Sequence, residues 1–417
     1  MNMENKRILF LGASVYFLDA AKYVKSKGMY LVAVDIKELP QAVVKSIADE
    51  SYHISTTDLD TLYELCVKCK INGIYAGASE VNIPIAMELC KRLNLPYYAN
   101  KRQWEMCTNK AIFKQKCVEN GIKVSKEYEF SKRGKNGYVK YPVVTKPVDN
   151  NGSTGISICQ NLQELEKGYK KGMDNSKIGH VLIEEYIPSD SVIIQYTIQD
   201  GNIKYSGMSD KKSKKLNEDG APVMAIQYFP SIYEEQYLSK VNKKAIRMLK
   251  EADMQYGAVW IESFYYKNEF IFNEIGYRYG GSLTYFPVEF FYNLNQMNIL
   301  IHHAVTGKGL YQDFNEKKVR ADQKKYAILP IHIKPCVIKA VSGIDELENI
   351  PGFYRFVQSH SIGETIPDSG TTLQVFGYVH VIGDSIDSMI KTMQEVKDRI
   401  HVIDETGKNK IFTIWEL

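Results

Sequence analysis

Trp260-Ile261-Glu262-Ser263-Phe264-Tyr265-Tyr266-Lys267-Asn268-Glu269-Phe270-Ile271-Phe272-Asn273-Glu274-Ile275-Gly276-Tyr277-Arg278 is the stretch on which the reading of this chain turns. Two aromatic and β-branched runs flank a short polar turn, the pattern of a β-hairpin. With the turn centred on Asn268, Tyr266 faces Phe270, Phe264 faces Phe272 and Glu262 faces Glu274. All six side chains then share one face of the sheet. The aromatic pairs stabilise it, whereas the third pair sets two carboxylates about 5 Å apart at Cβ. Such a pair needs a shared proton or a cation. Paired oxygens suit Mg²⁺, which binds one or two carboxylates together with substrate phosphates. The competing reading is a register slipped by one residue, which turns one glutamate to solvent. Arg278 follows, just before Gly280-Gly281-Ser282. An arginine there clamps a carboxylate or a developing phosphoryl charge, or else simply pairs with a glutamate.

Upstream, an apolar strand at 141–145 delivers Lys146, followed by Pro147-Val148-Asp149-Asn150-Asn151-Gly152-Ser153-Thr154-Gly155. Small residues let successive backbone N–H groups converge on an anion, and a lysine adds a point charge for phosphate. An ordinary Asn/Gly hairpin turn explains the same residues. Leu182-Ile183-Glu184-Glu185-Tyr186-Ile187-Pro188 is a strand running into a proline linker, where domains hinge. Its carboxylate and backbone suit an adenine amino group, a weak signal by itself.

Further out, residues 1–100 alternate strands (7–12, 30–35, 73–76, 96–99) with helices (16–27, 59–70, 82–93). Continuous apolar strands alternating with helices imply a parallel, doubly wound sheet. Gly12 is the one glycine of its turn, so G-x-G-x-x-G is absent; a scaffold with a tight turn is expected, although Asp35 sits where a ribose-binding acid would. Glu80 lies at the carboxyl end of a parallel strand, the usual ligand edge, and is expected to meet an acceptor amine or to cap the following helix. Past a helix at 105–121, short strands (124–130, 143–146, 155–159, 181–186, 192–199, 203–208) suggest antiparallel sheet. Residues 209–220 are highly charged and read as a loop. Helices at 234–252 and 290–306 follow, then a last block with strands at 326–333 and 376–382 and a helix at 386–400.

The 417 residues suffice for about three domains. Lys+Arg 53 against Asp+Glu 49 leave a net charge of only +4, which argues against a protein built to neutralise nucleic-acid phosphates. No apolar run reaches membrane-spanning length and no secretory leader opens the chain, so a cytoplasmic protein without membrane partners is expected. The seven cysteines are scattered; Cys66-x-x-Cys69 lies in an amphipathic run with no second pair and reads as two helical thiols.

Taken together, these elements resemble the ATP-grasp superfamily, in the branch of biotin carboxylase, carbamoyl-phosphate synthetase, the phosphoribosylglycinamide ligases and the L-amino acid ligases. The resemblance covers about residues 6–400. It implies an α/β and α+β chain: a Rossmann-like pre-ATP-grasp domain (1–104), an ATP-grasp core (105–324) with a mobile lid (about 123–185), and a closing C-terminal domain (325–417), to which Gly370-Thr-Thr-Leu-Gln-Val-Phe-Gly377 is similar. By the same resemblance Lys110, after Asn109, and Lys146 reach ATP phosphate, and Gly152, Ser153, Thr154 and Gly155 belong to the phosphate loop. Glu184 takes the adenine amino group, Glu185 and Ile187 offer backbone, and Asp190 binds ribose. Glu262 and Glu274 match the metal-binding glutamates for Mg²⁺ (or Mn²⁺), Arg278 is the catalytic arginine, and Ser282, with Tyr277, lines the carboxylate pocket unless it merely packs. Gly276 stands where the family has an asparagine that helps hold a second metal; either Asn273 or a water substitutes, or one metal is held more weakly.

The implied activity is a carbon–nitrogen ligase acting on a small-molecule carboxylate and an amine. The carboxylate takes the γ-phosphoryl group of ATP, and the amine then displaces phosphate from the acyl phosphate. Two rivals stand beside it: a purine-pathway or carboxylase-type ligase using formate or bicarbonate, and an ATP-binding module with little catalysis, motivated by Gly276. The chain lacks the Met-Lys-Met motif of a biotin carrier. A homodimer is compatible with each reading.

Overall fold

The structure is a computed structural model that describes residues 3–129, 139–149, 155–217, 222–311 and 324–415. Its N-terminal part is a four-stranded parallel sheet in the order Glu50–Tyr52, Tyr30–Val34, Arg7–Leu11, Gly73–Tyr75. Leu9, Leu11, Val32 and Val34 on one face and Ile8, Phe10, Leu31 and Ala33 on the other are fully buried. Helices cover both faces, which explains the unbroken apolar strands.

One expected strand is absent and another appears. Residues 96–99 are irregular, and Glu50–Tyr52 supplies the fourth strand. The reason lies in the tyrosines: Tyr98 Oη donates to the Tyr277 carbonyl at 3.0 Å, and Tyr277 Oη donates to the Tyr98 carbonyl at 2.9 Å. This segment therefore bonds to the next part of the chain and not to the sheet edge. The Gly12 turn is a scaffold: a Cβ there would lie 3.0 Å from the Phe17 ring, and Asp35 is occupied by the backbone N–H groups of Ala13 and Lys37, both at 2.9 Å.

Among the described residues the main sheet has ten strands. Its path runs Phe353–Gln358, Val375–Gly383, Lys325–Ile333, Val223–Phe229, Asn202–Lys214, Ser191–Gln199, Gly257–Tyr266, Glu269–Gly276, Lys123–Val124, with Ile411–Phe412 also pairing with Lys325–Ile333. Strands near the C-terminus thus continue the sheet of the central region. A separate four-stranded antiparallel sheet, Glu127–Tyr128, Val181–Glu185, Val143–Pro147 and Ser157–Cys159, packs against helix Leu162–Asp174 through Val143, Cys159, Leu165 and Ile183.

Three expected helices are each broken in two. Residues 105–121 become Lys101–Thr108 and Lys110–Glu119, because Asn109 leaves the helical conformation (ψ 108°) and caps the second helix by accepting from Ala111 and Ile112 N–H. Val241 separates Glu234–Lys240 from Asn242–Glu251. Left-handed Asn293 ends Tyr285–Tyr292, and Asn295 caps Gln296–Thr306. Asparagines at caps explain two of these breaks.

The stretch expected as a loop at 209–220 is strand through Lys214. Its backbone is paired on both sides, with Ser191–Gln199 and Val223–Phe229. The charge density has a different cause: the polar face of this strand, with Lys211 and Ser213, lines a cleft.

Candidate active site

The hairpin carries the site, with a register different from the expected one. Lys267 and Asn268 both have positive φ (50° and 65°), which makes a two-residue turn of the kind that matches strand twist. Tyr266 therefore pairs with Glu269, Tyr265 with Phe270 and Phe264 with Ile271, so the expected aromatic ladders do not form. A bulge between Glu262 and Ser263 on one strand, opposite the additional residue Asn273, then restores the pairing of Glu262 with Glu274. An extra residue re-aims its neighbours. Here Asn273 joins both glutamates in lining the cleft.

That cleft, of about 750 Å³, lies between the four-stranded sheet and the main sheet. Lys110, Lys146, Glu184, Glu185, Ile187, Asp190, Glu262, Glu274, Arg278 and Ser282 all line it. Residues separated widely in sequence are thus brought together. Val144, Ile156, Ile158 and Ile193 supply apolar wall. Gly152, Ser153 and Thr154 lie outside the described residues. Gly155, which is described, has φ +79°, with its missing Cβ 2.8 Å from the Pro147 ring, a place that demands glycine.

Two charge clusters organise the cleft. In the first, Glu184 is almost fully buried between two lysines: Lys114 Nζ is 2.6 Å from Oε1 and Lys146 Nζ is 2.8 Å from Oε2, while Ser125 Oγ donates to Oε2 at 2.7 Å. Burial would raise the Glu184 carboxyl, but the charges of Lys146 and Lys114 outweigh it and hold the group down at about 2. Burial lowers the Lys114 ammonium, only partly offset by Glu184. In the second cluster Glu262 Oε1 accepts from Lys211 Nζ at 2.6 Å and Ser191 Oγ at 2.8 Å, and Oε2 accepts from Asn273 Nδ2 at 3.1 Å. Burial again works against ionisation, and the Lys211 charge and these bonds hold Glu262 at about 2. Asn273 Oδ1 also accepts from Lys146 Nζ at 3.0 Å, which joins the two clusters. Lys110 Nζ stands 3.6 Å from Glu274 Oε1.

Arg278 pairs with Glu80: Nε donates to Oε1 at 3.1 Å, and Nη2 donates to the same oxygen. Glu80 does not cap the following helix, whose first turn is served instead by Ser79 Oγ accepting from Asn82 N–H at 3.3 Å. Ser282 Oγ lies 3.4 Å from Gln227 Oε1. Tyr277 is fully buried and donates to the carbonyls of Tyr98 and Tyr256, so it packs.

Gly276 has a concrete steric cause. A Cβ there would lie 2.4 Å from the indole of Trp260, its cross-strand partner. Any side chain at 276 collides with that ring.

Sequence reasoning missed Lys114, Lys211 and Gln195. Lys114 was legible, since it follows Lys110 by one helical turn and shares its face. Lys211 was hidden by the loop assignment. Gln195 is fully buried, lines the cleft, and has neither amide atom bonded among the described residues. No sequence signal marks it.

For one metal ion the residues fit: Glu274 is partly exposed at the cleft, beside two lysines suited to phosphate. Among the described residues no group of three or more His, Cys, Asp or Glu side chains forms a metal cluster.

No family model matches the chain. It is 24% identical over 281 residues to the formate-dependent phosphoribosylglycinamide formyltransferase of Wolinella succinogenes, covering 65% of this chain and 70% of that protein. It is 21% identical over 401 residues to dapdiamide A synthase of Enterobacter agglomerans, covering 89% of this chain and 90% of that one. Its fold matches the L-amino acid ligase from Bacillus licheniformis with a TM-score of 0.78 at 17% identity, over 96% and 99% of the two chains. Another structural neighbour, the biotin carboxylase domain of Hydrogenobacter thermophilus 2-oxoglutarate carboxylase, holds MgADP and bicarbonate. These sequence relatives and structural neighbours are ATP-grasp ligases, and the chain shares their fold.

Proposed function

We propose that this chain is an ATP- and Mg²⁺-dependent carboxylate–amine ligase that forms an amide or peptide bond through an acyl phosphate. The observation that carries this reading is the convergence of Lys110, Lys146, Glu262, Glu274 and Arg278 on one cleft. Lys110 and Lys146 hold the phosphates of ATP; Ile187 and the backbone near Glu185 take the adenine, and Asp190 the ribose. Glu184 serves mainly to fix Lys114 and Lys146, because both its oxygens are already engaged. Glu274 would hold Mg²⁺, which would supply charge neutralisation.

Arg278, oriented by Glu80, holds the substrate carboxylate for attack on the γ-phosphorus and stabilises charge developing there. Gln195, Gln227 and Ser282 line the part of the cleft that receives the substrates. An amine then attacks the acyl carbon, the amide forms and phosphate leaves. Most of the protein's contribution is positioning and exclusion of water.

A second reading, with formate or bicarbonate as the carboxylate, is favoured by the formate-dependent relatives. A third, an ATP-binding module with weak catalysis, is motivated by Gly276. Phosphate release screened against pairs of amino acids, then against formate or bicarbonate with phosphoribosyl amines, separates the three. Release with an amino acid pair supports the first, release with the second set supports its rival, and ATP binding without product throughout supports the third. ATP use and seven cysteines that form no disulfide suit a reducing, cytoplasmic setting. Among the described residues no helix is long and apolar enough to cross a membrane. A homodimer is the proposed assembly, by analogy with the biotin carboxylase domain dimer, and light scattering tests it.

A further inference from the structure

We propose that this chain carries its own cation, the Lys211 ammonium, in place of a second metal ion. Two carboxylates facing one phosphate-binding cleft are the usual foundation of a two-metal site. Here they are unequal. Both oxygens of Glu262 are taken: Oε1 by Lys211 at 2.6 Å and Ser191 at 2.8 Å, and Oε2 by Asn273 at 3.1 Å. A metal ion at Glu262 would have to displace a lysine whose side chain is three-quarters buried (25% exposed) and lose its neutralising charge. Glu274 differs, since its nearest cation among the described residues, Lys110, stands off at 3.6 Å and its side chain is 30% exposed. It can approach a metal ion without breaking a close pair.

A second observation is independent of Lys211. The position one pleat beyond Glu274 is Gly276, and Trp260 fills the space above it, 2.4 Å from where a Cβ would be. Two residues along a strand return to the same face, so this is where an oxygen ligand beside Glu274 would stand. The indole there offers only an N–H, a donor that cannot ligate a cation. That N–H has no partner among the described residues. With no ligand position at 276, Glu262 is the carboxylate that a second ion would have to use, and Lys211 already holds it, so one metal ion remains, at Glu274. The fixed ammonium then supplies positive charge beside the phosphates.

This inference rests on the ATP-site reading, and metal stoichiometry tests it apart from activity. The chain, loaded with the imidotriphosphate analogue of ATP, is titrated with Mn²⁺ and free Mn²⁺ is read by electron paramagnetic resonance. One Mn²⁺ per nucleotide-loaded wild-type chain is expected. Lys211→Met, which keeps the stem and removes the charge, is expected to bind two, and Lys211→Arg one. Zero or two per loaded wild-type chain, or one in Lys211→Met, overturns the inference. Should Lys211→Met fail to fold, Lys211→Gln is read in its place, and the wild-type count alone retains the power to overturn. Failure to bind the nucleotide at all defeats the ATP-site reading itself, which distinguishes the two.

Discussion

Arg278 and Glu80, 198 residues apart in the chain, meet through two hydrogen bonds to a single carboxylate oxygen, Oε1 of Glu80. Glu80 comes from the end of the parallel sheet and Arg278 from just beyond the hairpin, so this pair ties the N-terminal part to the cleft. Arg278 Nη1 also donates to the Tyr279 carbonyl at 3.1 Å, and the guanidinium lies 5.4 Å from the Trp260 ring centroid. The guanidinium is thereby fixed from several sides.

Removing Glu80 should loosen that arginine without touching the nucleotide. Glu80→Ala is expected to lower kcat/KM about 10–100-fold, equivalent to about 1.4–2.7 kcal/mol. The affinity for an ATP analogue should stay within about twofold. Unchanged kcat/KM would mean that Arg278 does not depend on Glu80 for its orientation. Steady-state kinetics with calorimetric nucleotide titration read both quantities.

The buried lysines around Glu184 have separable roles. Lys114 pairs with Oε1 of Glu184, whereas Lys146, on Oε2, is the lysine that also meets Asn273, so Lys114 is expected to act mainly on stability. Lys114→Met should cost about 3–5 kcal/mol, since it breaks a buried ion pair and leaves the partner undercompensated. Lys146→Ala should also weaken binding of an ATP analogue at least tenfold, about 1.4 kcal/mol. Chemical denaturation and calorimetry distinguish them; unaltered nucleotide affinity in Lys146→Ala removes that lysine from the phosphate site.

How much of this was legible follows from particular residues. The pairing of Glu262 with Glu274 was read correctly, although two local errors in the reading cancelled. The turn has two residues where three were counted, and the bulge at Asn273 returns the missing one. Alternation reveals which face a residue takes only until the first bulge. Strands in the parallel sheet were plain because each is apolar throughout, whereas residues 96–99 look like a strand but bond outward through tyrosine hydroxyls. Lys211 escaped because a strand that lines a charged cleft has the composition of a loop. Gly276 was visible as a departure, but its cause, the cross-strand indole of Trp260, needs the register.

The steric account of Gly276 makes a paired prediction. Gly276→Asn alone forces the new side chain into the indole and should destabilise the protein by about 1–3 kcal/mol, as overpacking does. Adding Trp260→Ala should recover much of that loss, so the double mutant melts above the Gly276→Asn single mutant. A double-mutant cycle measured by thermal denaturation gives the coupling. Additive effects of the two changes would mean that the ring is not the obstacle.

Glu274 is the carboxylate on which metal binding depends under the proposed function. Glu274→Ala is expected to reduce ATP turnover to background, at least about 1,000-fold, or roughly 4 kcal/mol of transition-state stabilisation. Phosphate release is the measurement, and circular dichroism checks the fold. Full activity in Glu274→Ala would remove the metal assignment from this residue.

A final prediction concerns pH and involves none of the cleft residues. His332 is fully buried, with neither ring nitrogen bonded among the described residues and its ring centroid 5.7 Å from that of Phe412. Burial lowers it from 6.5 to about 4, and His303, buried against Tyr256, is likewise lowered to about 4. A histidine depressed in the folded state binds fewer protons than its unfolded counterpart between those values. Its stabilising contribution is therefore complete above about pH 6.5 and is lost as the pH falls towards 4. For His332 the loss amounts to at most about 3 kcal/mol. The melting temperature should fall over this window, and His332→Phe, which carries no titrating group into the core, should fall less steeply. Parallel slopes for the wild type and His332→Phe would show that the acid limb has another source.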